Sequence, residues 1–219
     1  MKGGDAGFSR FTRWRQRAIV RFMAILKIAR MGHPMLMRVA APIADPQAPA
    51  ISQLIADMID TLADAAGAGL AAPQVHVPLR LVMFHVPAAR ALEEDGEAAE
   101  SCPFTVLINP EIETLSEDIG DDSADDLAGD MVDGLEACLS LPGLAGIVSR
   151  HSQIHYRGLN PLGETIERTA HGFHARVVQH ECDHLDGILY PTRMRDLSTL
   201  SFTSELSRTE SEEEQEDSE

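Results

Sequence analysis

Apolar side chains at Ile51, Leu54, Ile55, Met58, Leu62 and Ala65 recur at i, i+3, i+4, i+7, i+11 and i+14, a spacing that keeps them on one face of an α-helix. This predicts a helix from 51 that ends near Gly67. Farther along, strand-like runs at Leu81 to Val86, Thr105 to Ile108, Gly146 to Arg150, Ile154 to Tyr156 and Thr165 to Arg168 are separated by Pro and Gly. Residues 172–185 have the length and composition of a second helix, closing at Gly187. Helix, then short strands, then helix is not the βαβ alternation of a parallel sheet. It predicts an α+β fold with antiparallel sheets.

Composition narrows this picture. The 219 residues suit one domain with a sizeable core and leave little room for a second. The net charge of −17 repels phosphate, which excludes nucleic acid as a direct partner and disfavours anionic membranes. No apolar run reaches the ~18 residues needed to span a bilayer. Cys102, Cys138 and Cys182 are too few for a disulfide framework, and their odd number without a cleavable signal segment points to a reducing compartment, the cytoplasm.

Charge also divides the chain. Residues 1–30 carry a net +7, residues 205–219 a net −7. The Ser/Glu-rich tail lacks the apolar surface to offset the entropy of ordering. Met23 to Ile28 reads like the entry to a folded domain, so the expected organisation is a basic extension over 1–22, a folded domain over 23–204 and a disordered tail over 205–219. The alternative for the Arg-rich head is an organelle transit segment. Between Arg90 and Arg150 no basic residue occurs, and 116–130 reads as a solvated acidic loop. Its Asp121, Asp122, Asp125, Asp126 and Asp130 do not follow the ligand spacing of a calcium loop.

Chemistry concentrates in the second helix. His180-Glu181-Cys182-Asp183-His184 is an H-E-x-x-H pattern, in which imidazoles at i and i+4 share one face and can bind one metal ion. Glu181, about 100° round the helix, is placed as a general base. Phe173 and Val177 make the same face apolar upstream, as a pocket wall would be, whereas Cys182 points elsewhere and reads as core. A catalytic site needs a third ligand and an open position. The extended pattern H-E-x-x-H-x-x-G-x-x-H is matched at Gly187 but ends in Tyr190, and Asp186 and Asp196 are the only downstream carboxylates before the tail. Cys138, in the turn-prone run Glu136 to Gly143, is the stronger candidate. A third segment, Gly67 to Gln74, holds two glycines suited to unusual dihedrals and close backbone approach.

Gly67-Ala68-Gly69-Leu70-Ala71-Ala72-Pro73-Gln74, Glu136-Ala137-Cys138-Leu139-Ser140 and Gln179 to Leu185 together resemble, in order, the motifs G-x-G-L-A-A-P-Q, E-G-C-L-S and Q-H-E-x-D-H-L of the peptide deformylase family. The likeness spans residues 25 to 197. It implies antiparallel sheets packed around a central metal-binding helix that carries H-E-x-x-H. It implies that Cys138, His180 and His184 hold one divalent metal, Fe²⁺ in the cell with Zn²⁺, Ni²⁺ or Co²⁺ able to replace it. Glu181 would take a proton from water, and the Leu139 N–H and Gln74 amide would stabilise an oxyanion. Gly67, Ala68 and Gly69 would pair with an extended peptide, Phe173 and Val177 would line a methionine pocket, and Glu136 joins the expected substrate contacts. The implied substrates are N-formyl-methionyl ends of nascent chains, met near the ribosome.

Ala137 stands where the motif has glycine, and Ala145 where relatives often carry a basic residue. If the backbone at 137 took a positive φ, alanine would cost roughly 1 kcal/mol beside Cys138 and Leu139. That departure motivates an alternative: a deformylase-like protein with altered substrate or lost turnover, acting as a metal-bound binding module.

Overall fold

A computed structural model of the chain describes residues 24–87, 101–114 and 131–206. The expected extension over 1–22, the acidic loop over 116–130 and the tail beyond 206 lie outside these residues. Residues 205–206, assigned above to the tail, belong to a short helical turn over 203–206.

The elements run α1 (Pro49–Ala65), β1 (Gly69–Ala71), β2 (Leu81–Val86), β3 (Cys102–Thr114), β4 (Met131–Ala137), β5 (Leu144–His151), β6 (Gln153–Leu159), β7 (Thr165–His171), α2 (Gly172–Leu185) and β8 (Ser201–Phe202), with short 3-10 turns between them. All strand pairings are antiparallel, in one sheet ordered β1-β2-β3-β6-β7 and another ordered β4-β5-β8. This is the expected α+β arrangement. Each of the five strand runs read from the sequence lies within an observed strand.

β2 shows how the layers form. Leu81 and Met83 pack with Ile55, Met58 and Leu62 of α1, whereas Val82 and Phe84 pack with Val178 and Leu185 of α2. Covered on both faces, the strand reads as a continuous apolar run, not an alternation. α2 touches β1, β2 and β7 of the large sheet and β5 of the small one, so it occupies the centre of the molecule.

α1 opens with Pro49 at its first turn, where no intrahelical N–H is missed. It closes with Ala66 in the left-handed region, φ 52°, one residue before the glycine expected there. Gly67 and Gly69 have no positive φ. The unusual dihedral therefore falls on Ala66, and what the glycines provide is space.

Candidate active site

β7 passes directly into α2, which brings His180 and His184 one turn apart on the buried face, ring centroids 5.1 Å apart. Cys138 arrives from β4, at the start of a tight turn closed by Leu141 N–H donating to Cys138 O at 2.9 Å. Two bonds between Gln179 and the His151 backbone fix α2 to the end of β5. The Cys138 sulfur and one nitrogen from each histidine lie within 4.8 Å of one another, all buried, and no other such trio occurs among the described residues.

The donor set fits a transition metal. Cys138 Sγ is 3.3 Å from His184 Nε2. Ligands of a tetrahedral ion, ~2.3 Å from it for sulfur and ~2.0 Å for nitrogen, stand about 3.5 Å apart. His180 Nδ1 is 2.8 Å from Glu136 Oε2, which leaves Nε2 available. Burial, with the positive charge of Arg150 adding to it, holds His184 well below its usual value, in the neutral form that binds metals. The sulfur also receives N–H groups from Ser140 and Gln74, both at 3.5 Å.

Glu181 lies beside this trio. Burial pushes its carboxyl up to about 7, with the Glu136 charge adding to the rise and His180 and Arg150 opposing it. Its Oε2 is buried without a hydrogen-bond partner, an acceptor left for a donor such as water. Gly69 approaches so closely that a Cβ there would stand 2.6 Å from the Glu181 carboxyl carbon. Gln74 is anchored by Ala71 N–H on its oxygen, at 2.8 Å, and turns its amide nitrogen toward Cys138 and Ser140. No carbonyl of the described residues accepts from the Leu139 N–H.

A cavity of about 520 Å³ opens onto these groups. Its lining includes Gly67, Ala68, Gly69, Leu139, Phe173 and Val177, so the residues expected to meet a substrate come together. β1 and β4 are the edge strands of their sheets and flank it. Glu136 also borders the cavity, but its carboxylate is committed inward. Arg150 bonds both oxygens, Arg176 one and His180 the other. Burial alone would raise its pKa, yet the bonds from His180 and Arg150 outweigh that and hold it at about 2. Glu136 thus orients a metal-ligand candidate from the cavity wall.

Arg150, Asp183, Arg176 and Arg193 were given no role by the sequence reading. Arg150 reaches Asp183 as well as Glu136, and Arg193 closes the far side of Asp183 at 2.6 Å. The one available signal was Arg150 as the first basic residue after the long acidic stretch, at the end of an apolar strand. Tyr190, at the last position of the extended pattern, is no ligand: it stacks on His180 with centroids 6.3 Å apart. Ala137 is extended in β4, opposite Ala145, and is absent from the positive-φ residues. The strain that motivated an altered site does not arise. Cys182 is buried, and burial raises its thiol pKa, as a core cysteine requires.

The sequence matches the polypeptide deformylase family over residues 25–199. Peptide deformylase 2 of Bordetella bronchiseptica is 49% identical over 179 residues, covering 82% of this chain and 93% of that protein. Peptide deformylase 1 of Prochlorococcus marinus is 46% identical over 186 residues, 84% of this chain and 88% of that one. Among solved structures, the Met-Ala-Ser-bound class I type b peptide deformylase of Acinetobacter baumannii superposes with a TM-score of 0.65 at 32% identity, covering 78% of this chain and 99% of that one. The likeness extends over nearly the whole of each relative, and the residues of all three motifs meet in one buried site: the chain belongs to the polypeptide deformylase family.

Proposed function

We propose that the protein is a peptide deformylase, which hydrolyses the formyl amide of N-formyl-methionine on newly made chains and releases formate. The observation that carries this reading is the buried Cys138, His180 and His184 trio beside Glu181, opening onto a cavity between two edge strands. Cys138, His180 and His184 hold a divalent ion, Fe²⁺ in this proposal, which when bound polarises a carbonyl and acidifies water. An S/N/N set also accepts Zn²⁺, Ni²⁺ or Co²⁺.

The formyl-methionyl end lies extended along Gly67 to Gly69, adding a strand to the β1 edge, with its side chain toward Phe173 and Val177. Glu181 removes a proton from the attacking water, and a carboxylate near neutrality is suited to give it back. The Leu139 N–H and Gln74 Nε2 donate to the oxygen that becomes negative as water adds to the formyl carbon. Glu181 then delivers the proton to the amine nitrogen as the C–N bond breaks. Nascent chains as substrate place the protein in the cytoplasm, near the ribosome. No helix among the described residues is long and apolar enough to cross a membrane.

The test is formate release from formyl-Met-Ala-Ser by protein purified without oxygen and loaded with Fe²⁺ or Ni²⁺, beside Glu181→Gln. Release lost in the variant, with one metal per chain retained, is the expected result. No release by the metal-loaded wild type would overturn the reading.

A further inference from the structure

Arg176 sits one helical turn before His180 on α2, and its guanidinium lies across the β4–β5 hairpin that delivers Cys138. One terminal nitrogen donates to Val132 O at 2.7 Å. The other donates to Val148 O at 2.7 Å and Glu136 Oε1 at 3.0 Å, with a longer contact to Gly134 O at 3.4 Å. The acceptors therefore come from both strands. The other bonds from α2 side chains to these strands among the described residues reach one strand each: His180 meets β4, while Gln179 and Asp183 meet β5.

Gly134 is the counterpart of this contact. A Cβ there would stand 2.7 Å from the Arg176 guanidinium carbon, so the planar group lies over a residue with no side chain. Gly134 has no positive φ, which leaves space, not backbone conformation, as the reason for glycine. The Arg176 side chain is only 11% exposed, so its bonds are poorly served by water instead. Lysine, a single ammonium, cannot reproduce a planar fork spanning two strands.

We propose that Arg176 and Gly134 form a positioning pair that sets the registry between the hairpin carrying Cys138 and the helix carrying His180 and His184. Arg176 acts through others: it fixes the β4 backbone leading to Cys138 and takes one oxygen of Glu136 while the other orients His180. The proposal rests on the metallohydrolase reading above.

The test compares wild type with Arg176→Met, Arg176→Lys, Gly134→Ala and the double variant Gly134→Ala/Arg176→Met. Each is measured for Ni²⁺ affinity by competition with a chromophoric chelator, for kcat and KM on formyl-Met-Ala-Ser, and for metal-free melting. Arg176→Met is expected to weaken Ni²⁺ binding by about 10-fold or more and to lower kcat more than it raises KM, with Arg176→Lys in between. Gly134→Ala is expected to act in the same direction alone but to add less than about 2-fold once Arg176 is methionine, because the two effects share one contact. Unchanged Ni²⁺ affinity and kcat in Arg176→Met, or full additivity in the double variant, would overturn the pair. If Arg176→Met does not fold, Gly134→Ala and Arg176→Lys decide the question by the same affinity readout. A wild type that binds Ni²⁺ without releasing formate would overturn the function, while the chelator competition still judges the pair.

Discussion

Gly69→Ala isolates the placement of one carboxylate. Gly69 has no positive φ, so alanine brings no backbone strain. Its new methyl would instead lie 2.6 Å from the Glu181 carboxyl carbon and 2.7 Å from Cγ. Ordinary contact begins near 3.4 Å, so the carboxyl carbon must retreat by roughly 0.8 Å, and Oε1, which stands closer still, by about 1 Å. The end of a glutamate side chain can swing, which keeps the cost to folding small. Catalysis does not share that tolerance: a misplacement near 1 Å costs about 100-fold in rate, or about 2.7 kcal/mol of barrier. The expected outcome is a kcat near one hundredth of wild type, with metal content unchanged because Gly69 faces Glu181 and not the ligands. Steady-state formate release on Ni²⁺-loaded protein, metal analysis and thermal melting measure the three quantities. A kcat within about 3-fold of wild type would refute the argument that this glycine exists to seat Glu181.

Three further outcomes follow from the same geometry. Tyr190→Phe keeps the ring stacked on His180 and removes a buried hydroxyl that has no hydrogen-bond partner, so equal or higher stability is expected, and a loss above about 1 kcal/mol in denaturant melts would contradict it. Burial holds that hydroxyl up to about 12, so its removal takes no charge away and leaves the pH profile of formate release in place. Ala137→Gly restores the usual motif but relaxes an extended strand residue; kcat should stay within about 2-fold and stability fall by about 0.5–1 kcal/mol, whereas a large gain in kcat would mean that the alanine perturbs the site. Metal removal should lower Tm by about 5 to 10 °C relative to protein held at a hundredfold excess over Kd, and an unchanged melt would argue against Cys138 and the two histidines as joint ligands.

α1 and α2 were legible because each buries one face at helical spacing, and the candidate metal trio because two of its members lie on one helix. β4 was not, and its residues show why. Val132 and Leu135 are 43% and 53% exposed while Glu136 is buried at 5%, the reverse of the polarity by which a strand is recognised. The inversion is set by Arg150, Arg176 and His180, which lie 14, 40 and 44 residues away and exert no local signal. β3 was cut short at Ile108 because Pro110 reads as a terminator. The strand continues past it by a register shift between Ile108 and Glu111, with Asn109 left-handed at φ 51° and its side chain bonded to the Ile43 backbone. β1 has only three residues and is defined by pairing with β2, which no short window shows. The charged shell behind the ligands was invisible for the same reason: Arg150, Asp183 and Arg193 gain meaning only once β5 and α2 are side by side.

The separation of Cys138 from His184 by 46 residues, across a hairpin and two further strands, has a kinetic consequence. A partly folded chain can present the histidine pair as soon as α2 winds, since both lie within one turn. The thiolate arrives only when the hairpin docks, a non-local step that closes a long loop. In the proposed site, an ion meeting an unfinished chain finds two candidate ligands, whereas one meeting the docked chain finds three. Metal retention there would report completion of the fold, because the three candidate ligands come together only when these long-range contacts form.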